Sequence, residues 1–543
     1  MLPAALLLLA MFVQPALRAA PAPALGPGVT EPGVTWPGAT EPGLTEGEGM
    51  TLQLMPALDE TRRQPAVAPG EGPALAADDP GVQLRLAEAL GSNPAADSAA
   101  VTPDTRPASY ATSLSGWAAA MAWCLYGIVV LIVIYMVRHY AFALSRLFGR
   151  QRQPFIDIDA ADWPTVTVLV PAHNEEQVIA DCLGGLLDVD YPRDRLSIVP
   201  VNDRSTDRSR EIIDAIAAQH PGRVVPYHRT SGKPGKAAAL KDASAQLTSD
   251  VLLGFDADYV PGRGLVKQLV APFFDPEVGA TMGRVVPFNT GTNLLTRLLD
   301  LERSGGYQVD QQARMNLNLV PQYGGTVGGV RRSALIAVGG WHDDSLTEDT
   351  DITYRLLLGG WRTVYQNRSE CYEEVPEVWS VRLRQIMRWA KGHNQVCFTH
   401  TRAVLASPLL PLRQKIDGML LLGVFLMSPL LIVAWSLSIA VYFLGVSPLV
   451  AAPIALIMMA SYGSLGNFAA FFEIAAATRL DRSFRRTRLL PLNMFGFLVS
   501  VISVTRASGG LLMDWGLRRE LIWHKTHRYR NGNGNGNGNG NGH

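Results

Sequence analysis

The stretch TVTVLVPAHNEEQVI, Thr165–Ile179, decides the fold. Its first half is a β-branched apolar run. Pro171–Glu176 interrupts that run with turn and polar residues before an apolar helical pattern resumes. A short run of this kind, bounded by such residues, reads as a strand leading into a helix. Asn174 and Glu175 stand at the junction. The same grammar recurs in LSIVPVND, Leu196–Asp203, and in DVLLGFDAD, Asp250–Asp258. Strands alternating with helices specify an α/β fold, here a doubly wound domain with a mostly parallel sheet over residues 160–402. Polar residues at successive strand ends of such a sheet converge on one crevice at its carboxyl edge. Each also has a plainer reading, since Asn174 or Ser205 can start a helix unaided.

Asp256 and Asp258 alternate along the third run and so face one side at that edge. Two carboxylates there suit a hard divalent cation, Mg²⁺ or Mn²⁺, that grips a diphosphate; the alternative is a solvated strand-to-turn junction. SGKPGKAAAL, Ser231–Leu240, sets Lys233 and Lys236 in a glycine-containing loop before a helix. That placement suits phosphate charge, although surface lysines do the same without function. In RQIMRWAKG, Arg384–Gly392, the residues Gln385, Arg388 and Trp389 share one helix face. Arg388 can reach a leaving diphosphate and Trp389 can offer a flat surface to a sugar ring. A helix lying on a membrane would also carry Arg and Trp. DSLTEDTDITYRLLLGGW, Asp344–Trp361, gathers Glu348, Asp349 and Asp351 before an apolar helical run. Thr347 as cap and acids in the first turn are the plain explanation.

The chain around this domain reads as a membrane protein. Its 543 residues have room for two to four domains, and 48 Lys and Arg balance 48 Asp and Glu, so net charge points to no nucleic-acid partner. The distribution is uneven: residues before Tyr110 are acidic and rich in Pro, Ala and Gly, whereas basic segments flank the apolar runs. Residues 1–22 form a signal peptide or N-terminal anchor, and 23–112, with its PGVTE-like repeat, an extracytoplasmic disordered linker. Residues 113–138 are long enough to span a bilayer, and their basic flank puts the α/β domain in the cytosol. Residues 403–417 are an interfacial connection and 418–478 two further spans. Residues 489–516 contain Arg506, Pro491 and a Ser-Gly-Gly stretch. They read as two short interfacial or re-entrant helices, with a fourth span as the alternative. Residues 517–530 and the Asn-Gly tail 531–543 close the chain. The sequence thus places a multi-pass protein in the cell inner membrane, its catalytic domain cytosolic. Cys124, Cys182, Cys371 and Cys397 lack metal-ligand spacing, which argues against a zinc site or a disulfide framework.

In order, the chain carries PAxNEE, VxDxSTD, a Lys-Gly loop, DAD, GTxxxxRRSAL, TED and QxxRW. This series resembles the membrane-integrated inverting family-2 glycosyltransferases, which include cellulose, hyaluronan, chitin and poly-N-acetylglucosamine synthases. The resemblance covers roughly Asp162–Arg528 and implies a GT-A domain. It implies that Asp203 contacts the uridine with Glu175 nearby, that Asp256 sits by the nucleotide and that Asp258 holds Mg²⁺ or Mn²⁺. Lys236 would reach the diphosphate, and Asp349 would be the general base with Glu348 beside it in the catalytic set. Gln385, Arg388 and Trp389 would bind diphosphate and acceptor. Trp523, Lys525 and Thr526 in IWHKTHR would gate the donor site. Gly328 and Gly329 depart from the family's pattern, as does His173, which replaces a more common Tyr. An ionised Asp349, kept so by its helix N-terminus, a metal-bound leaving group and Arg388 would together give in-line displacement with inversion.

The resemblance implies a nucleotide-sugar donor, preferably a UDP-sugar, a growing glycan as acceptor and the lipid bilayer as partner, with a periplasmic export partner left open. The leading expectation is a processive exopolysaccharide synthase. A single-transfer enzyme acting on a lipid or short saccharide is the alternative among enzymes. A non-enzymatic membrane scaffold is the alternative of another class, against which the intact acidic motifs speak.

Overall fold

A computed structural model describes residues 108–152, 162–443 and 468–517. Its centre is an eight-stranded sheet of order β3-β2-β1-β4-β7-β6-β8-β5. The strands are β1 Val166–Ala172, β2 Leu196–Asp203, β3 Tyr227–Arg229, β4 Val251–Gly254, β5 Val260–Pro261, β6 Val278–Pro287, β7 Gly328–Arg331 and β8 Arg362–Glu373. β3, β2, β1 and β4 run parallel. β7 is antiparallel to both β4 and β6, and β8 returns parallel to β6.

Alternation along β1 divides the core. Val168 and Val170 belong to one buried cluster with Ile198 and Leu253, while Leu169 packs with Val199, Val201 and Leu252 on the other side of the sheet. A strand buried on both faces needs the near-continuous apolar run that β1 shows. The chain leaves β1 for β2 and β3 on one side and returns to place β4 on the other. The strand order therefore reverses at β1 and β4, whose carboxyl ends open the crevice.

Among the described residues three helices are long and apolar enough to cross a membrane: Gly116–Phe148, Val424–Val441 and Arg485–Gly516. They refine the expected boundaries. The first helix, Ala108–Phe148, continues past residue 138, because its basic flank docks into protein. Arg138 is buried, bonds Asp310 at 2.7 Å and faces Asp417 at 3.6 Å. The span expected from residue 418 starts later. The helix Leu412–Leu422 ends at Gly423, and Asp417 in it is fully buried, bonded by Arg314 at 2.6 Å. Tyr354 also donates to the Gly418 carbonyl at 2.7 Å. This segment packs into the α/β unit, and the helix long and apolar enough to cross a membrane begins beyond Gly423.

Residues 490–516 form one continuous helix, Leu490–Gly516, instead of two short ones. Pro491 lies in its first turn, where a missing N–H costs nothing. The Ser-Gly-Gly stretch is held against the QxxRW helix Trp379–Ala406, with Asn394 donating to Ser508 at 2.9 Å. The expected linker up to residue 107, most of the second later span, the gating residues Trp523, Lys525 and Thr526, and the tail lie outside the described residues.

Candidate active site

The crevice at the β1/β4 switch point collects the predicted acids. His173, Asn174 and Glu175 follow β1, and Asp256 and Asp258 follow β4 by two and four residues. Asp203 is the last residue of β2. Asn174 takes a left-handed turn, φ 56°, which lets its carbonyl oxygen Oδ1 accept from Thr206 N at 2.7 Å and ties the two strand ends together. His173 Nδ1 bonds the Asp203 carbonyl at 2.7 Å. His173 thus pins the neighbouring strand.

Asp203 is buried and its carboxylate is engaged by three donors. Arg229 reaches Oδ1 at 2.7 Å, Arg204 reaches the same oxygen at 3.0 Å, and the Gly235 amide donates to Oδ2 at 2.9 Å. Asp203 therefore ties the end of the Lys-Gly loop, just before its helix, to Arg229 of β3. Of the two lysines in that loop, Lys233 is exposed. Lys236, first residue of the helix Lys236–Ser244, turns inward. Its Nζ donates to Asp256 Oδ1 at 2.7 Å and to the Gly325 carbonyl at 3.0 Å, and lies 3.5 Å from Glu348 Oε1. Burial opposes its charge, but Asp256 and Glu348 outweigh burial and hold the ammonium above the usual lysine range.

The acidic cluster divides its labour. Glu348 and Asp349 open the helix Glu348–Leu358 and face Lys236 and Arg388. Asp351 points elsewhere: it pairs with Arg355 at 2.7 Å, His400 at 2.8 Å and His342 at 3.1 Å. It fastens the helix to its neighbours. One expectation fails here and another holds only in part. Thr347 precedes the helix but makes no side-chain cap. Its side chain is wedged at Gly392, where a built Cβ would lie 2.4 Å from Thr347 Cγ2. The helix N-terminus does favour the ionised form of Asp349, through the Thr350 amide that donates to its Oδ1 at 2.6 Å, but burial outweighs it. Burial pushes its carboxyl up, and Lys236 and the Thr350 hydrogen bonds pull it only partly back. Glu348 is raised by burial in the same way.

The start of the GTxxxxRRSAL segment, whose residues had no individual role assigned, completes the site. Gly325, φ 72°, brings its backbone so close that an added Cβ would sit 3.0 Å from Asp349 Cβ. Thr326 Oγ1 accepts from the Asp256 amide at 3.1 Å. Val327 has φ 49°, a strained conformation for a β-branched residue. The glycine run in YGGTVGG was the available sequence signal. Gly328 and Gly329 lie within β7, where a Cβ would meet Thr281 O or Leu253 Cδ2 at 2.4 Å, so strand packing accounts for them.

On the QxxRW helix, Gln385 Oε1 accepts from Arg382 at 3.0 Å. The guanidiniums of Arg303 and Arg382 lie 5.1 and 5.3 Å from the Trp389 ring centroid. Arg388 lies near enough to Asp349 to favour its ionised form. No group of three or more His, Cys, Asp or Glu among the described residues is arranged to hold a metal by itself. Asp256 and Asp258 still fit Mg²⁺ or Mn²⁺, which need only one or two carboxylates when substrate phosphates supply further oxygens.

Comparison with known proteins agrees with this geometry. Residues 164–392 match the family described as glycosyltransferase like family 2. The chain is 35% identical over 236 residues to the probable glycosyltransferase YdaM of Bacillus subtilis (strain 168), covering 43% of this chain and 56% of that protein. It is 31% identical over 295 residues to the beta-monoglucosyldiacylglycerol synthase of Synechocystis sp. (strain ATCC 27184 / PCC 6803 / Kazusa), covering 54% and 60%. The chain thus spans less than two thirds of either relative. Among solved structures it is similar to the mannosyltransferase PcManGT from Pyrobaculum calidifontis in complex with GDP-Man and Mn²⁺, at 23% identity and TM-score 0.45 over 68% of this chain and 99% of that one. Residues 164–392 are therefore similar to a family-2 glycosyltransferase domain, on a GT-A-like α/β fold.

Proposed function

We propose that the protein is an inverting hexosyltransferase that moves a sugar from a nucleotide diphosphate to an acceptor hydroxyl at the cytosolic face of the inner membrane. The observation that carries this reading is the meeting of Asp349 with Lys236 and Arg388 at the switch-point crevice. One carboxylate base faces cations able to receive a diphosphate. That is what in-line displacement at an anomeric carbon requires.

In this mechanism Asp349 removes the acceptor proton. Lys236 and Arg388 receive charge that develops on the leaving diphosphate, and Asp203 and Gly235 shape the nucleotide end of the crevice. Asp256 and Asp258 would hold Mg²⁺ or Mn²⁺, which when bound neutralises the diphosphate. Trp389 presents its ring to the acceptor, and Gln385 holds Arg382, whose guanidinium lies over that ring. Glu348 stays beside Lys236 and sets the charge that the base meets.

The leading product is a polysaccharide made processively. The QxxRW helix packs along the candidate span Leu490–Gly516 through Ile386, Ala390, Val504 and Ala507, and Lys391 bonds Asp514 at 2.8 Å. An acceptor leaving Trp389 would meet the membrane at once. Transfer to a lipid hydroxyl is the second reading, favoured by the relative named for a glucosyldiacylglycerol. The test incubates nanodisc-held protein with Mn²⁺ and UDP-glucose, UDP-N-acetylglucosamine or GDP-mannose, following nucleotide release and product size. A long polymer from one donor, lost in Asp349→Asn, supports the first reading. A single sugar on a lipid supports the second. Full turnover by Asp349→Asn removes the mechanism.

A further inference from the structure

Thr350 comes directly after the base, and its hydroxyl meets more partners than its single proton can serve. Thr350 Oγ1 lies 3.3 Å from Asp349 Oδ1 and 3.4 Å from His393 Nδ1, and it accepts from Gln322 Nε2 at 3.0 Å. His393 is buried on the QxxRW helix, edge-on to Phe425. Its Nε2 lies 2.8 Å from the Leu421 carbonyl, in the helix that leads towards the span Val424–Val441. A carbonyl only accepts, so Nε2 must carry the ring proton and, in the neutral ring, Nδ1 must be an acceptor. Burial, with Arg314 adding a like charge, pushes His393 down to about 4, so the ring is neutral at working pH. The Thr350 hydroxyl therefore faces two acceptors, the base and His393, while one of its own lone pairs accepts from Gln322.

We propose that the Thr350 hydroxyl is a two-position donor, turned to Asp349 while that carboxylate is ionised and to His393 Nδ1 once it has taken the acceptor's proton. Thr350 and His393 are then positioning residues for the base. No proton travels along the chain: the hydroxyl rotates, His393 keeps its Nε2 proton, and the acceptor's proton remains on Asp349 until product leaves. The arrangement gives the buried hydroxyl a partner in both states of the base, and an unpartnered buried donor is costly. The tether of His393 to Leu421 holds the second acceptor at a fixed distance. The other groups around Asp349 are Lys236, Glu348, Arg388, Tyr307 and Tyr323, and none of them is shared with His393.

This proposal rests on Asp349 being the base, and its test separates the two. With whichever nucleotide sugar the protein turns over, the acidic limb of kcat/KM is recorded for each variant. Thr350→Val removes the donor to the carboxylate and should move the limb up by about one pH unit, the size of one charge-assisted hydrogen bond. His393→Phe removes the competing acceptor, leaves the hydroxyl on Asp349 and should move the limb down. In the Thr350→Val background His393→Phe should move nothing, because the shared hydroxyl is gone. Thr350→Ser and His393→Gln keep the required groups and should match the parent. Shifts of the same sign, or a His393→Phe shift that persists in the double variant, overturn the proposal. Should His393→Phe lose UDP binding, an unmoved limb in Thr350→Val overturns it alone. A pH profile that survives in Asp349→Asn defeats the base assignment instead.

Discussion

Gly325→Ala tests how closely the backbone must approach the base. At φ 72° the residue occupies left-handed space, which costs an alanine about 1–2 kcal/mol. Its Cβ would lie 3.0 Å from Asp349 Cβ and 3.3 Å from Glu348 Oε1, so both acids must give by a few tenths of an ångström. The Gly325 carbonyl, which receives Lys236 at 3.0 Å, would turn with them. A reacting group misplaced by about 1 Å costs on the order of 100-fold in rate, so a shift of a few tenths should cost roughly 10-fold in kcat. The proposed nucleotide end, at Asp203 and Gly235, is not in contact with the added methyl, and donor KM should hold. Steady-state kinetics and thermal unfolding of the same preparation check both parts. An alanine variant with parental kcat and parental stability would refute the close-approach reasoning. A loss confined to donor KM would put Gly325 in nucleotide binding.

The charges around the base set further outcomes. Lys236→Met removes the cation that offsets burial at Glu348 and Asp349. Both carboxyls then rise further, the base is protonated to higher pH, and the acidic limb of the rate profile moves up while kcat falls. An unmoved limb would show that Lys236 does not act on the base. Asp417→Ala leaves the buried Arg138 and Arg314 to share Asp310 as their one carboxylate, and should cost about 3–5 kcal/mol in denaturant unfolding; a loss under about 1 kcal/mol would mean that the cluster relaxes around the gap. Chelation by EDTA should abolish turnover, with recovery on adding Mn²⁺ or Mg²⁺ in the parent but not in Asp258→Asn. Recovery in that variant would remove Asp258 from the metal site.

The strands and their polar ends were legible because an apolar run closing on Asn-Glu-Glu, Asp-Arg-Ser or Asp-Ala-Asp has one sensible reading in an α/β sheet. Position within the site was less legible. Nothing local distinguishes Lys233 from Lys236; the difference is that Asp256 and Glu348 lie on one side of the loop. Asp351 sits in the same acidic run as Asp349, yet His342, Arg355 and His400 claim it, and His400 comes from a helix far along the chain. Arg229 was invisible because β3 is three residues long and its meaning depends on Asp203. The same reason bears on where the second span begins. Hydropathy counts the residues after 417 as membrane, whereas Arg138 and Arg314 reach across the fold to hold Asp417 in the protein. The ionisation of Asp349 was legible only in part: the helix N-terminal amide that favours it is local, but the burial that opposes it is a property of the whole crevice.

The most direct test of the inverting mechanism is the anomeric configuration of the first product. A proton NMR spectrum recorded during turnover of an α-linked UDP-sugar should show a β-linkage from the outset, as displacement with a single base on the face opposite the leaving group demands. An α-linked first product would contradict that mechanism and the role given to Asp349.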